Sequence, residues 1–328
     1  MRVLFIGGTG IISSACSRVA IEAGLQLFHL RRGKTGRPIP LGIKVLAGDI
    51  RDPGSARAAL GKQTFDVVVD FIAFTPEHIA FDLELFRGRT GQFVFISSAS
   101  AYQTPPQSLP VSESTPLHNP IWEYSRDKIA CEEALLAAYR RDKFPFTVVR
   151  PSHTYDRTLF PCHGGYTVVN RMRQGKPVVV HGDGSSLWTL THHEDFARAF
   201  VPLLGHSRAI GDYVHITSDE WLSWDQIHHV LAKAAHTTAE IVHLPSEIIA
   251  KHDREWGDSL LGDKTHSMIF DNSKVKRLVP GWQARIPFAR GVEEIMAYYD
   301  ADPSRQVVDQ AFDATMDKLV AIAHRLDQ

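Results

Sequence analysis

The chain has 328 residues, 44% of them hydrophobic, and its 36 Lys and Arg nearly balance 37 Asp and Glu. That length is enough for one large core or two modest ones, and a formal net charge of −1 offers no global field to attract nucleic acid or an anionic membrane. No apolar run is long enough to cross a bilayer. The three cysteines Cys16, Cys131 and Cys162 lack paired spacing, and Met1 leads straight into an apolar segment with no room for a secretory signal. The expectation is a cytoplasmic enzyme with reduced thiols, with no nucleic-acid or membrane partner.

Apolar, β-branched runs recur at 3–6, 25–30, 43–46, 67–71, 93–96 and 146–149, with a seventh at 213–216. Such runs suit strands buried on both faces of a parallel sheet. Helical stretches at 11–23, 77–86 and 121–141 fall between them, which predicts an α/β doubly wound parallel sheet of the Rossmann type. Asn119 is placed to cap the third helix, with Pro120 in its first turn. Beyond Pro151 the alternation weakens, and Pro161, Gly164, Gly165 and HGDGSS (181–186) mark loops around shorter elements. Residues 1–160 are therefore expected to form an NAD(P)-binding domain. Residues 161–328 are expected to form mainly a smaller, interleaved substrate-binding domain, with Trp221 and Trp224 packing it and 307–326 a surface helix.

The chemistry follows in chain order. GGTGIIS (7–13) joins the first strand to a helix opening at Ile11, where backbone amides and the helix dipole can hold a pyrophosphate. Gly7 and Gly10 permit a tight turn and close backbone approach, while Ser13 stands where a third glycine often allows close packing. After the second strand, where a carboxylate would normally receive the ribose hydroxyls, the chain reads HLRRGK. Arg31 and Arg32 are placed to pair with the extra phosphate of NADP, which is favoured over NAD. In AGDIRD, Asp49 is placed to accept from the adenine amino group, Ile50 to cover the ring and Asp52 to cap the next helix. Ile11, Phe71 and Ala73, the last two where the fourth run ends, join the cofactor set, as do Tyr124 and Lys128 further on.

ISSAS (96–100) and YSRDK (124–128) supply a hydroxyl, a phenol and an ammonium. Four-residue spacing puts Tyr124 and Lys128 one turn apart on one helix face. A cation about 6 Å away at an effective dielectric of about 20 favours phenolate by roughly 3 kcal/mol, so the Tyr124 phenol is expected below its usual value. Tyr124 would then move a hydroxyl proton while hydride passes between the adjacent carbon and a nicotinamide. Ser98 would hydrogen-bond the same substrate oxygen, with Ser97 and Ser100 as less direct helpers. No metal is expected, since the adjacent pairs His192/His193 and His228/His229 would point to different helix faces.

Through these residues the chain resembles an extended short-chain dehydrogenase/reductase of the NAD-dependent epimerase/dehydratase superfamily over almost its whole length. The resemblance implies Ser98, Tyr124 and Lys128 as the catalytic set and Gly7, Gly10, Asp49 and Ile50 around the cofactor. RPSHTYD (150–156) and HHEDFARA (192–199), with its Asp195, match further family segments. Two departures concern the substrate. His153 stands where nucleotide-sugar members commonly place Asn, and Trp188 falls where they often carry an Arg that pairs with phosphates. Both are expected to contact substrate or to pack internally.

The leading expectation is an NAD(P)-dependent epimerase acting at a secondary alcohol or ketone of a sugar-like substrate. A net dehydrogenase or ketoreductase is the alternative. A reading of another class is RNA binding, because the glycine loop and the arginine-free GDGSS segment also resemble chloroplast stem-loop-binding relatives. The helix around Tyr124 would serve a homodimer interface by analogy with many relatives.

Overall fold

The structure is a computed structural model, and it describes residues 1–33 and 37–326. Its first half runs β1 (Arg2–Ile6), α1 (Ile11–Glu22), β2 (Gln26–Arg31), β3 (Lys44–Ala47), α2 (Pro53–Leu60), β4 (Phe65–Asp70), α3 (Pro76–Phe86), β5 (Thr90–Ile96), α4 (Glu123–Asp142) and β6 (Phe146–Pro151). The second half is built of shorter pieces. They are β7 (His153–Tyr155), α5 (Tyr166–Arg173), β8 (Val178–His181), β9 (Leu187–Trp188), β10 (Leu190–His192), α6 (His193–Phe200), β11 (Asp212–Ile216), β12 (Leu222–Ser223), α7 (Trp224–Ala234) and β13 (Ile241–Leu244), then α8 (Ser246–His252), α9 (Arg254–Ser259), α10 (Ser273–Leu278), α11 (Phe288–Asp300) and α12 (Gln310–Leu326).

All seven expected strands pair in one parallel sheet of order β11-β6-β5-β4-β1-β2-β3. Val3, Phe5, Val67 and Val69 face one apolar layer, and Leu4, Ile6, Val68 and Phe93 face the other. This two-sided burial is why the strands read as continuous apolar runs. Strand β11, from the second half of the chain, pairs with β6 at the sheet edge. The remaining short strands pair as β7 with β10, β9 with β12 and β8 with β13. They pack with α7, α11 and α12 around two further apolar clusters.

Two local expectations need correction. Helix α4 begins at Glu123 rather than Ile121, because Asn119 Oδ1 accepts from the amides of Ile121 and Trp122 at 3.3 and 3.0 Å in a turn ahead of it. The Asn119 amide nitrogen donates instead to Gly262 O at 2.6 Å and Ser100 O at 3.2 Å. Trp224 does pack the second half, 4% exposed and 5.7 Å from Trp188, whereas Trp221 is 52% exposed. Asp52 caps α2 as expected, accepting from the amides of Gly54 and Ser55.

Candidate active site

Strand β1 ends beside β4 at the point where strand order reverses, and the loop that follows carries the glycines. Gly7 has φ +79°, and a Cβ there would lie 2.5 Å from Ile72 Cγ2, so only glycine satisfies both turn and neighbour. Gly8, which the motif reading passed over, is as constrained, since a Cβ would strike the His29 imidazole at 2.5 Å. Gly10 has an ordinary φ of −79°; what it leaves is room for the Ser13 hydroxyl. Ser13 Oγ accepts from Gly10 N and donates to Gly7 O, both at 2.7 Å, tying the loop across its mouth. Beneath the loop, burial pushes His29 down to about 4, leaving a neutral ring 3.0 Å from Ser17 Oγ.

The rim of this loop is cationic. Arg31 is half-buried where β2 ends, and the exposed Arg32 lies 3.8 Å from Asp49 Oδ2. Asp49 Oδ1 accepts from Arg51 N at 2.9 Å, and the Arg51 guanidinium reaches the carbonyl of Ile72. Ile50 is only 4% exposed and packs in the core with Leu30 and Ala56. Its side chain therefore serves the core rather than offering an open face to a ring. Phe71 is half-buried against Phe5 and Phe200, with ring centroids 5.1 and 5.8 Å away. Arg37 was not foreseen. It bonds Asp156 Oδ2 at 2.9 Å, Thr158 Oγ1 at 2.6 Å and Gly10 O at 3.4 Å, and so fastens the glycine loop to the segment after β7.

Helix α4 brings Tyr124 and Lys128 to the carboxyl ends of β4 and β5. Lys128 is 1% exposed, and Nζ donates to Ala73 O at 2.7 Å and Ile96 O at 2.8 Å. It stands 5.7 Å from the Tyr124 ring centroid, and burial pulls its ammonium down to about 8. The expectation that Lys128 depresses the phenol is not met. Burial holds Tyr124 above its ordinary value, outweighing the hydrogen bond with Ser98, and the nearby Asp263 charge adds to the rise. The ammonium is already committed to two carbonyl oxygens, while the phenol lies in a low-dielectric wall.

Ser98 Oγ is 2.9 Å from Ser100 Oγ, which in turn receives Ser125 Oγ at 2.9 Å. Ser100 is 4% exposed and sits behind Ser98 in a hydroxyl chain. Ser97 donates to Glu132 Oε1 at 2.5 Å, and Arg150 bonds both oxygens of Glu132, locking β5, α4 and β6 together in the interior. Under the β4 end, Asp70 Oδ1 accepts from the amides of Ile72 and Ala73 at 2.6 and 2.9 Å, which fixes the Ala73 carbonyl that holds Lys128. The adjacent Asp82 is fully buried and driven far above the carboxylate range by burial and by Asp70.

In front of Tyr124 lies a cavity of about 320 Å³ whose wall includes Ser98, Trp122, His153, Trp188, Asp263 and Lys264. Trp188 Nε1 donates to His153 Nδ1 at 3.0 Å, and burial pushes His153 down to about 3. Trp188 is also 5% exposed within an apolar cluster, so it both packs and lines. Asp263 and Lys264 were missed by the sequence reading. They belong to a one-turn π-helix, Leu260–Lys264, that follows α9. Gly262 O holds that turn down by accepting from Asn119 and Thr104 Oγ1, and a Cβ on Gly262 would lie 2.7 Å from Trp122 Cβ. Nothing in LLGDK marks the turn at sequence level, because its position depends on a partner more than a hundred residues away.

Comparison with known proteins agrees with this geometry. The family model for the NAD dependent epimerase/dehydratase family matches residues 3–216. The chain belongs to this family. It is similar to the 2'-dehydrokanamycin reductase of Streptomyces kanamyceticus, 27% identical over 293 residues that cover 87% of this chain and 81% of that protein. It is also similar to the chloroplast stem-loop binding protein of 41 kDa b of Arabidopsis thaliana, 25% identical over 97% of this chain and 84% of that protein. Among solved structures, the UDP-glucose 4-epimerase of Thermotoga maritima with UDP-glucose shares the fold at TM-score 0.74 and 21% identity, covering 92% of this chain and 99% of that one.

As a member of this enzyme family, the chain puts its two later family segments to structural use. Asp156 anchors Arg37 and Thr158. Asp195, 1% exposed, accepts from the amides of Arg285 and Ile286 and pairs with Arg198, tying α6 to the chain before α11. His192 Nδ1 accepts from Glu194 N at the start of α6, and His228 Nδ1 lies 2.8 Å from Trp224 O. No helix among the described residues is long and apolar enough to cross a membrane.

Proposed function

We propose that this epimerase/dehydratase-family enzyme reduces a ketone on a sugar-like substrate with a nicotinamide dinucleotide. The observation that carries this reading is the Tyr124 phenol placed with Ser98 in the wall of a cavity sized for a sugar ring. A protonated Tyr124 is the donor that a carbonyl oxygen requires as it becomes a hydroxyl. The similarity to 2'-dehydrokanamycin reductase across most of both chains supports the same direction.

The cofactor fits on structural grounds. The glycine loop is a cradle that a Cβ at Gly7 or Gly8 would block, and it opens onto the amino end of α1. Gly7, Gly10 and Ile11 would hold the pyrophosphate. Asp49, Arg31 and Arg32 would hold the adenosine end, Phe71 and Ala73 would flank the nicotinamide end, and the Lys128 proton not given to a carbonyl would serve a ribose hydroxyl. The arginines after β2 favour NADP. When bound, the reduced nicotinamide supplies the hydride to the carbonyl carbon. Ser98 and Tyr124 both hydrogen-bond the carbonyl oxygen, Tyr124 releases its proton to that oxygen as the C=O π pair moves onto it, and the Ser98 hydroxyl favours the phenolate left behind.

Epimerisation is the second reading, supported by 31% identity over 169 residues to the UDP-glucose 4-epimerase of Lactobacillus helveticus. The same residues would run oxidation and then reduction. RNA binding has less support, because a net charge of −1 gives no excess of cations for a phosphate backbone. The test is a panel of keto-sugars and keto-glycosides with NADPH. Stoichiometric consumption of reduced cofactor, lost in Tyr124→Phe with cofactor affinity retained, is expected. Sugar interconversion without net cofactor change would instead establish the epimerase.

A further inference from the structure

A second cavity of about 260 Å³ shares Trp122, His153 and Lys264 with the first, so the two lie side by side with Lys264 at their common wall. Its own lining is mostly apolar and aromatic, with Phe160, Val179, Trp224, Trp256, Leu260 and Met316 as main contributors. Such a wall rewards a flat apolar group.

Charge decides what the pair of cavities does not take. Among the residues lining both, Lys264 is the sole Lys or Arg. Its Nζ lies 3.9 Å from Asp263 Oδ2, which offsets its charge, and burial lowers its pKa. The imidazoles nearby do not compensate. His153 and His181 are pushed by burial to about 3 and about 4, His228 is lowered as well, and His163 faces Asp253 at 3.2 Å. Burying a diphosphate beside a cancelled cation carries a desolvation penalty that this wall cannot return.

Polar capacity remains unspent at the first cavity. No hydrogen bond among the described residues reaches the Asp263 carboxyl oxygens or Lys264 Nζ, although the ammonium sits 5.0 Å from the Trp122 ring centroid and 5.6 Å from that of Trp188. An acceptor beside a donor that faces two indoles matches vicinal hydroxyls on a ring. Resting on the reading of the site given above, we propose that the substrate is an unphosphorylated glycoside. Its reacting sugar bonds Asp263 and Lys264 in front of Tyr124, and its apolar aglycone ring passes Lys264 into the second cavity.

The test is direct binding to the cofactor-loaded protein by calorimetry, with nitrophenyl glycosides, the matching methyl glycosides and UDP as probes. At least one nitrophenyl glycoside should bind about tenfold or more tightly than its methyl counterpart, the gain expected for burying one aromatic ring. Ser259→Phe, which fills the second cavity from a partly exposed position, should bring that ratio towards one; Leu159→Trp at the exposed rim is the second variant should the first not fold. The proposal is overturned if no nitrophenyl glycoside gains over its methyl partner, if UDP binds more tightly than all of them, or if the ratio survives in a folded variant. Because binding is read without turnover, hydride transfer without this ratio would sink the aglycone site and leave the reductase reading standing. The ratio without hydride transfer would do the reverse.

Discussion

The cofactor side and the substrate side of this cleft are built by different means. On the cofactor side the shape comes from main chain: a left-handed glycine pressed against Ile72, two further glycines against His29 and Ser13, and two carbonyls that hold Lys128. On the substrate side it comes from side chains on distant segments, with Trp122 and Tyr124 from α4 and its approach, His153 and Trp188 from paired short strands, and Asp263 and Lys264 from a π-turn. A main-chain site accepts one ligand shape and tolerates few substitutions. A side-chain site can be rewritten residue by residue, so one family can hold one cofactor while its substrates diverge.

Substitutions sharpen that contrast. Tyr124→Phe, at the seam between the two sides, should reduce kcat by about 100-fold to 10,000-fold while leaving cofactor affinity unchanged; steady-state kinetics beside cofactor titration checks it. Asp263→Asn tests the substrate side. Burial raises the Asp263 carboxyl from 3.8 to about 6, so the unfolded chain ionises first and stability falls as pH rises through that window. The variant should match the parent near pH 4 and exceed it near pH 8, by on the order of 3 kcal/mol in urea unfolding. A gain that does not depend on pH would remove Asp263 as its source.

Gly7→Ala probes the main-chain side. Forcing a Cβ into left-handed backbone costs about 1–2 kcal/mol before the contact with Ile72 is counted, so cofactor affinity should fall roughly tenfold or more with the substrate side unaffected. Arg32→Ala should have the smallest effect. Its guanidinium is exposed, and an exposed ion pair is worth up to about 1 kcal/mol, so the proposed NADP preference should shrink about fivefold or less in paired titrations of NADP and NAD.

The two sides also differed in how far the sequence revealed them. The strands, the glycine loop and the Tyr124–Lys128 pair were legible because each rests on local spacing: two-sided burial, a strand-to-helix turn, one helical repeat. Gly8, Arg37, Asp263 and Lys264 were not, because each acquires its role from a partner far along the chain, respectively His29, Asp156, Tyr124 and the two indoles. The raised phenol of Tyr124 was misjudged for a related reason. Helical spacing gave the ammonium's proximity, but not the carbonyls that occupy it or the burial that outweighs it.

The most direct measurement is deuterium transfer from NADPH labelled at the hydride-donating carbon to a keto-glycoside, followed by mass spectrometry of the product in parent and Tyr124→Phe proteins. One deuterium at the new carbinol carbon, one oxidised cofactor per product molecule, and near-complete loss of both in the variant are expected. Transfer at parental rate in Tyr124→Phe would contradict the proposed role of Tyr124.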